Sequence, residues 1–177
     1  MALAHGARSV TFADARVEEF IPPPNNYTNY QSQFIDLNFP QSLKPLLSNA
    51  DVVLYFGHLY HCTNHEEILD ALVNSDCTDF FIDTKVGLGN SHIDSDIPTI
   101  LRQIPESVSD CHNGWHSTDL YITPGAPNLS WMLDYFDRNK LEVKLQKSID
   151  HVFTWNDQNP YHHTIYIFHV TKTNIDN

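Results

Sequence analysis

The chain has 177 residues, 41% of them hydrophobic and 18% charged, with a formal net charge of −12 and only 10 lysines and arginines. That length makes one domain with a core of its own. The acidic balance repels a phosphate backbone, which excludes nucleic acid as a default partner. Cys62, Cys77 and Cys111 are odd in number and irregularly spaced. They do not form a disulfide framework, and a reducing, cytoplasmic setting is expected. No stretch approaches the ~20 apolar residues of a membrane span. No basic segment followed by an apolar one marks a signal peptide at the N-terminus.

Met1 to His5 reads as a last helical turn closed by Gly6. Ser9 to Ala13 reads as a strand with Asp14 at its end, and Ala15 to Phe20 as a brief helix. Pro22-Pro23-Pro24 is a rigid connector. Gln33 to Ile35 form a second short strand with Asp36 at its tip. Leu37 to Asn49 contains Pro40 and Pro45 and reads as loop with one helical turn.

Val52 to Phe56 is an apolar run with no polar face, bounded by Asp51 and Gly57. It predicts a strand buried on both sides, as in a parallel sheet. Thr63 and Glu66 form a capping box for a helix over Asn64 to Asn74, with Ile68, Leu69, Leu72 and Val73 on one face. Asp79 to Asp83, with Phe80-Phe81-Ile82 inside it, is another buried strand. Lys85 to Pro127 is the least regular region, with Ile97 to Gln103 as a short helix inside it. A segment of that kind is a lid or binding insertion more often than a plain connection, and residues 86–127 are therefore read as a cap on a single domain.

Asn128 to Arg138 is a helix with Leu129, Met132, Leu133 and Phe136 facing inward. Leu141, Val143 and Leu145 alternate with polar residues, the mark of a half-exposed strand. Ser148 to Asn159 reads as a loop carrying Trp155, and Thr164 to Val170 as a final, strongly β-prone strand.

This order of elements, with acidic residues at the tips of the early strands, resembles the class I S-adenosylmethionine-dependent methyltransferases. Leu3 to Asp14 is similar to the helix end and second strand of that family. Asp51 to His61 is similar to its fourth strand, in the variant ending Gly57-His58-Leu59-Tyr60-His61. Phe80 to Asp83 is similar to the fifth, and Asn128 to Leu145 with Thr164 to Val170 to the last helix and antiparallel pair. The implied fold is α/β, a Rossmann-like and mostly parallel sheet with an antiparallel C-terminal pair. The family's central first strand and its G-x-G loop have no counterpart in the chain. Gly87-Leu88-Gly89 follows the fifth strand and reads as a turn. The chain is therefore expected to be either a fragment or a degenerate form.

The resemblance implies a site. Asp14 would accept hydrogen bonds from the cofactor's ribose hydroxyls; otherwise it caps the segment after it. Asp36 and Leu37 would contact the adenine; otherwise Asp36 is a loop carboxylate. Gly57 and His58 would let the backbone approach S-adenosylmethionine closely. Tyr60 and His61 would face a small-molecule acceptor, Tyr60 orienting it and His61 serving as general base; otherwise the pair packs and caps the next helix.

His58, His61, Cys62 and His65 also raise a metal reading, as do Cys111, His112, His116 and His162-His163. No H-E-x-x-H is present and His58-x-x-His61 straddles a strand-to-helix junction. No metal ligand is therefore assigned, and a metal-dependent hydrolase ranks below both the methyltransferase and a non-catalytic domain of the same fold.

Overall fold

The computed structural model describes residues 2–14, 28–35, 39–62, 64–86, 99–101, 106–107, 121–122, 125–154 and 160–173. A 3-10 turn at Ala2–His5 opens the chain and ends at Gly6 with φ 96°. The strands and helices that follow are β1 (Val10–Asp14), β2 (Tyr30–Phe34), α1 (Pro40–Leu47), β3 (Val52–Tyr55), α2 (His65–Val73) and β4 (Asp79–Lys85). Four short strands come next: β5 (Thr99–Leu101), β6 (Glu106–Ser107), β7 (Tyr121–Ile122) and β8 (Gly125–Pro127). The chain then forms α3 (Leu129–Arg138), β9 (Leu141–Thr154) and β10 (Pro160–Lys172).

The main sheet has the order β3-β4-β10-β9. β3 runs parallel to β4, and the β9-β10 hairpin adds to it antiparallel. β1 and β2 form a separate parallel pair. Ile35, just after β2, donates its N–H to the Asp14 carbonyl at 3.0 Å and packs against the main core. The expected mixed sheet is present.

Register explains which residues the core takes. Tyr55 lies opposite Ile82, Ile82 opposite Phe168, and Phe80 opposite Val170. Side chains alternate along a strand, so these residues share one face. That face meets Leu43 and Leu47 of α1, Ile68, Leu69 and Leu72 of α2, and Trp131, Met132, Tyr135 and Phe136 of α3. Full burial of each large apolar side chain contributes about 1.5–3 kcal/mol, so these contacts are the main source of stability. Tyr135 adds a polar tie, its hydroxyl donating to Asp70 Oδ1 at 2.5 Å and so pinning α3 to α2. Burial and the neighbouring Asp70 carboxylate push the Tyr135 pKa well up.

Several expectations are corrected. Val52 to Phe56 is not buried on both sides: Val52, Leu54 and Phe56 are 51%, 56% and 51% exposed. The reason is that α1, α2 and α3 all pack on the Tyr55 face, and among the described residues no helix covers the other. Leu37 to Asn49 holds a full helix, α1, despite its prolines. Pro40 sits in the first turn, where a missing N–H costs nothing, and burial of Leu43 and Leu47 at i,i+4 spacing offsets the bond lost at Pro45. Helix α3 buries Trp131 and Tyr135 where Leu133 was expected, leaving Leu133 43% exposed. Thr99–Leu101 is strand, not helix, because it pairs with Gly125–Pro127. The segment expected as a loop over Ser148 to Asn159 continues β9 to Thr154, paired with β10 out to Pro160. The Ala15–Phe20 helix, the proline connector, Thr63 and most of the 86–127 cap lie outside the described residues.

Candidate functional site

The parallel strands β1 and β3 end at Asp14 and Tyr55. In open α/β sheets ligands bind beyond such carboxyl ends. Asp14 is half-buried, with its carbonyl held by Ile35. Asp36 and Leu37, expected beside it, lie outside the described residues.

The chain leaves β3 through Gly57, whose φ of 70° is a conformation that side chains adopt at a cost. A Cβ built there would meet nothing within 4 Å, so the space beside Gly57 is open. The Gly57 N–H is fixed by Asp83 Oδ1 of β4 at 3.0 Å. A 3-10 turn, Leu59–His61, follows. It is closed by the His61 N–H donating to the His58 carbonyl at 2.8 Å, and by Cys62 N–H donating to Leu59 at 3.1 Å. His65, in the first turn of α2, buries its ring and donates from Nε2 to the Leu59 carbonyl at 2.9 Å. The turn that presents Tyr60 and His61 is thus held from within the core.

Tyr60 and His61 are half-buried neighbours, ring centroids 4.3 Å apart. The Lys85 ammonium, at the end of β4, lies 4.5 Å from the Tyr60 ring centroid, a cation–π distance. Gly57, Tyr60, His61, Asp83 and Lys85 therefore gather at the carboxyl ends of β3 and β4. Sequence reasoning found the first three and gave no role to Asp83 or Lys85. Both stand where β4 ends beside β3, a signal that the strand alignment alone carries.

His58 is placed differently. It is only 5% exposed, its ring edge-on to Tyr55 at 5.6 Å and its Nε2 3.4 Å from Cys62 Sγ. The side chain packs inward, so what the site receives from this position is backbone. The metal cluster is divided by the same packing: His65 is committed to Leu59, and His58 faces Cys62 inside the core. Among the described residues no three His, Cys, Asp or Glu side chains come together to hold a metal ion. Cys111, His112 and His116 lie outside the described residues.

No protein-family model matches the chain, and no curated protein is similar to it in sequence. Solved structures are similar in shape. The N-terminal domain of EvdMO1 with SAH bound is 14% identical, with a TM-score of 0.63 over 97% of this chain and 68% of that one. A Listeria monocytogenes protein classed as an S-adenosylmethionine dependent methyltransferase gives 12% identity and a TM-score of 0.61, covering 97% of this chain and 84% of that one. The fold is that of the class I S-adenosylmethionine-dependent methyltransferases. The EvdMO1 domain in the presence of SAH and D-fucose is similar over 82% of this chain and 56% of that one, at a TM-score of 0.52.

The residues at the strand ends include groups that a nucleoside-bearing cofactor can use. Asp14 puts a carboxylate at the carboxyl end of β1, and the space beside Gly57 is open. No helix of the described residues is long and apolar enough to cross a membrane.

Proposed function

We propose that this domain is built for methyl transfer from S-adenosylmethionine to a small-molecule acceptor. What supports the reading is the methyltransferase-type fold, with Asp14 at the carboxyl end of β1 and with Gly57, Tyr60 and His61 following β3. When bound, the cofactor supplies an electrophilic methyl group on sulfur. Asp14 would accept from the vicinal ribose hydroxyls, two donors that one carboxylate can take together. Asp36 and Leu37 would meet the adenine. Gly57 gives a ligand close access to the backbone, with Asp83 holding that backbone still.

Tyr60 and His61 would line the acceptor side. Lys85, 4.5 Å from the Tyr60 ring centroid, would bring a positive charge to that side of the site. His61 would take the acceptor's proton as general base and so raise the nucleophilicity of the acceptor atom. Orientation and proximity supply most of the rate in such a displacement.

A second reading has a specific observation behind it. Among the described residues β1 and β3 belong to separate sheets, and no G-x-G precedes β1 in the sequence. On this reading residues 1–177 bind the cofactor weakly or not at all, and the domain serves binding or assembly. Isothermal titration of S-adenosylmethionine and its demethylated product into residues 1–177 separates the two. Micromolar binding that Asp14→Ala weakens at least about tenfold supports the enzyme. No heat at millimolar ligand supports the non-catalytic domain.

A further inference from the structure

Asp83 makes one hydrogen bond among the described residues: its Oδ1 accepts from the Gly57 N–H at 3.0 Å. A carboxylate has acceptor sites on both oxygens, about four in all. Oδ2 therefore has capacity left, and it is not sealed inside the protein. The place beside it has room. A Cβ built on Gly57 would meet nothing within 4 Å. Since Gly57 and Asp83 are joined by their hydrogen bond, the open space and the unused oxygen adjoin.

The neighbours of Asp83 give no structural reason for a charge. Side chains alternate along β4. Phe80, Ile82 and Thr84 are buried on the covered face, so Phe81, Asp83 and Lys85 share the other. On that face Asp83 is the register partner of Ile167 on β10. On the β3 side Tyr55 lies opposite Ile82, which puts Phe56 next to Asp83. Lys85, two residues along, stands 4.5 Å from the Tyr60 ring centroid and does not pair with Asp83. A half-buried carboxylate among Phe56, Phe81 and Ile167 gives up part of its hydration. If its task were only to hold the Gly57 N–H, a neutral side-chain oxygen would serve without that cost.

We propose that Asp83 is a specificity-determining residue of the acceptor side: Oδ1 holds the Gly57 N–H while Oδ2 accepts a hydrogen bond from a hydroxyl on an otherwise apolar acceptor. An ionised carboxylate can only accept, so the ligand atom it meets must donate. An anionic group is repelled at this point. A second cation is disfavoured by Lys85 on the same face. A neutral hydroxyl suits both charges. Phe56, 51% exposed, and Phe81 favour an apolar body behind that hydroxyl. The inference rests on the methyl-transfer reading only in calling the ligand an acceptor; the binding preference belongs to Asp83 and Gly57 themselves.

The test is NMR titration of nitrogen-labelled residues 1–177 with two probes of similar shape, benzyl alcohol and benzoate, read at the Gly57 amide. The alcohol moves that signal to saturation and binds about tenfold or more tightly than benzoate, the size of one hydrogen bond to a charged group. Asp83→Asn keeps a carbonyl for Gly57 and puts an NH2 group where Oδ2 stood. It lowers the preference for the alcohol by about tenfold while the amide signals of β9 and β10 stay in place. Should that variant fail to fold, the two probes on the unaltered protein decide alone. Equal responses to both probes, no response to the alcohol, or a preference unchanged in folded Asp83→Asn overturns the proposal. Alcohol binding at Gly57 without any binding of S-adenosylmethionine would remove the methyl-transfer reading alone, and the converse would remove this inference alone.

Discussion

The two faces of the main sheet differ in what covers them among the described residues. One packs Tyr55, Phe80, Ile82, Phe168 and Val170 under three helices, each side chain 5% exposed or less. The other shows Val52, Leu54 and Phe56 at about half exposure beside a charged and hydrogen-bonded patch. Both faces come from the same strands, in which side chains alternate with a period of two. What separates them is the layer laid over each. Stability resides on the covered face.

Truncation should expose this contrast most strongly. Ile82→Ala, at a position 2% exposed, is expected to lower unfolding free energy by about 2–5 kcal/mol, and Leu54→Ala by less than about 1 kcal/mol. Urea unfolding of both variants checks it, and similar costs would mean that Leu54 is covered. Next in size is Tyr135→Phe, which removes the hydroxyl that ties α3 to Asp70 of α2. Its expected cost is about 1.5–3 kcal/mol, the range for a bond to a charged acceptor, and a thermal midpoint unchanged from the parent would remove that tie from the account. Gly57→Ala follows at about 1–2 kcal/mol, from the left-handed φ of 70° and not from crowding. Gly57→Asn tolerates that conformation better and should recover part of the loss in the same melt.

The smallest effect belongs to the polar patch. A hydrogen bond from His169 is the main cause that holds the Asp79 carboxyl below its ordinary range. A depressed carboxyl contributes stability above its unfolded pKa of about 3.9. That contribution is lost as pH falls through the lower, folded value. Asp79→Asn should therefore flatten the stability–pH curve below about pH 4 and leave it nearly parallel at higher pH. An unaltered acid limb would break the assignment.

Much of this was legible from residue patterns. The runs at Val52 and Phe80 marked β3 and β4, and the spacing of Ile68, Leu69 and Leu72 marked α2 and its buried side. Gly57, Tyr60 and His61 stood out because a glycine and two polar rings follow an apolar strand. Other features were hidden for physical reasons. The prolines of α1 look like breakers until Leu43 and Leu47 are seen to pack. Trp131 and Tyr135 outcompeted Leu133 because their large rings fill the space against α2 and His65. A one-sided sheet cannot be told from a two-sided one by an apolar run, since Val52 and Leu54 are equally apolar whether covered or bare. The His58 ring turns inward to Cys62, a direction set by the turn and not by spacing.

The proposed methyl-transfer reading is tested most directly by isothermal titration of S-adenosylmethionine into residues 1–177. The expected result is micromolar binding that Asp14→Ala weakens by about tenfold or more. No heat at millimolar ligand, or binding that Asp14→Ala leaves unchanged, would contradict it.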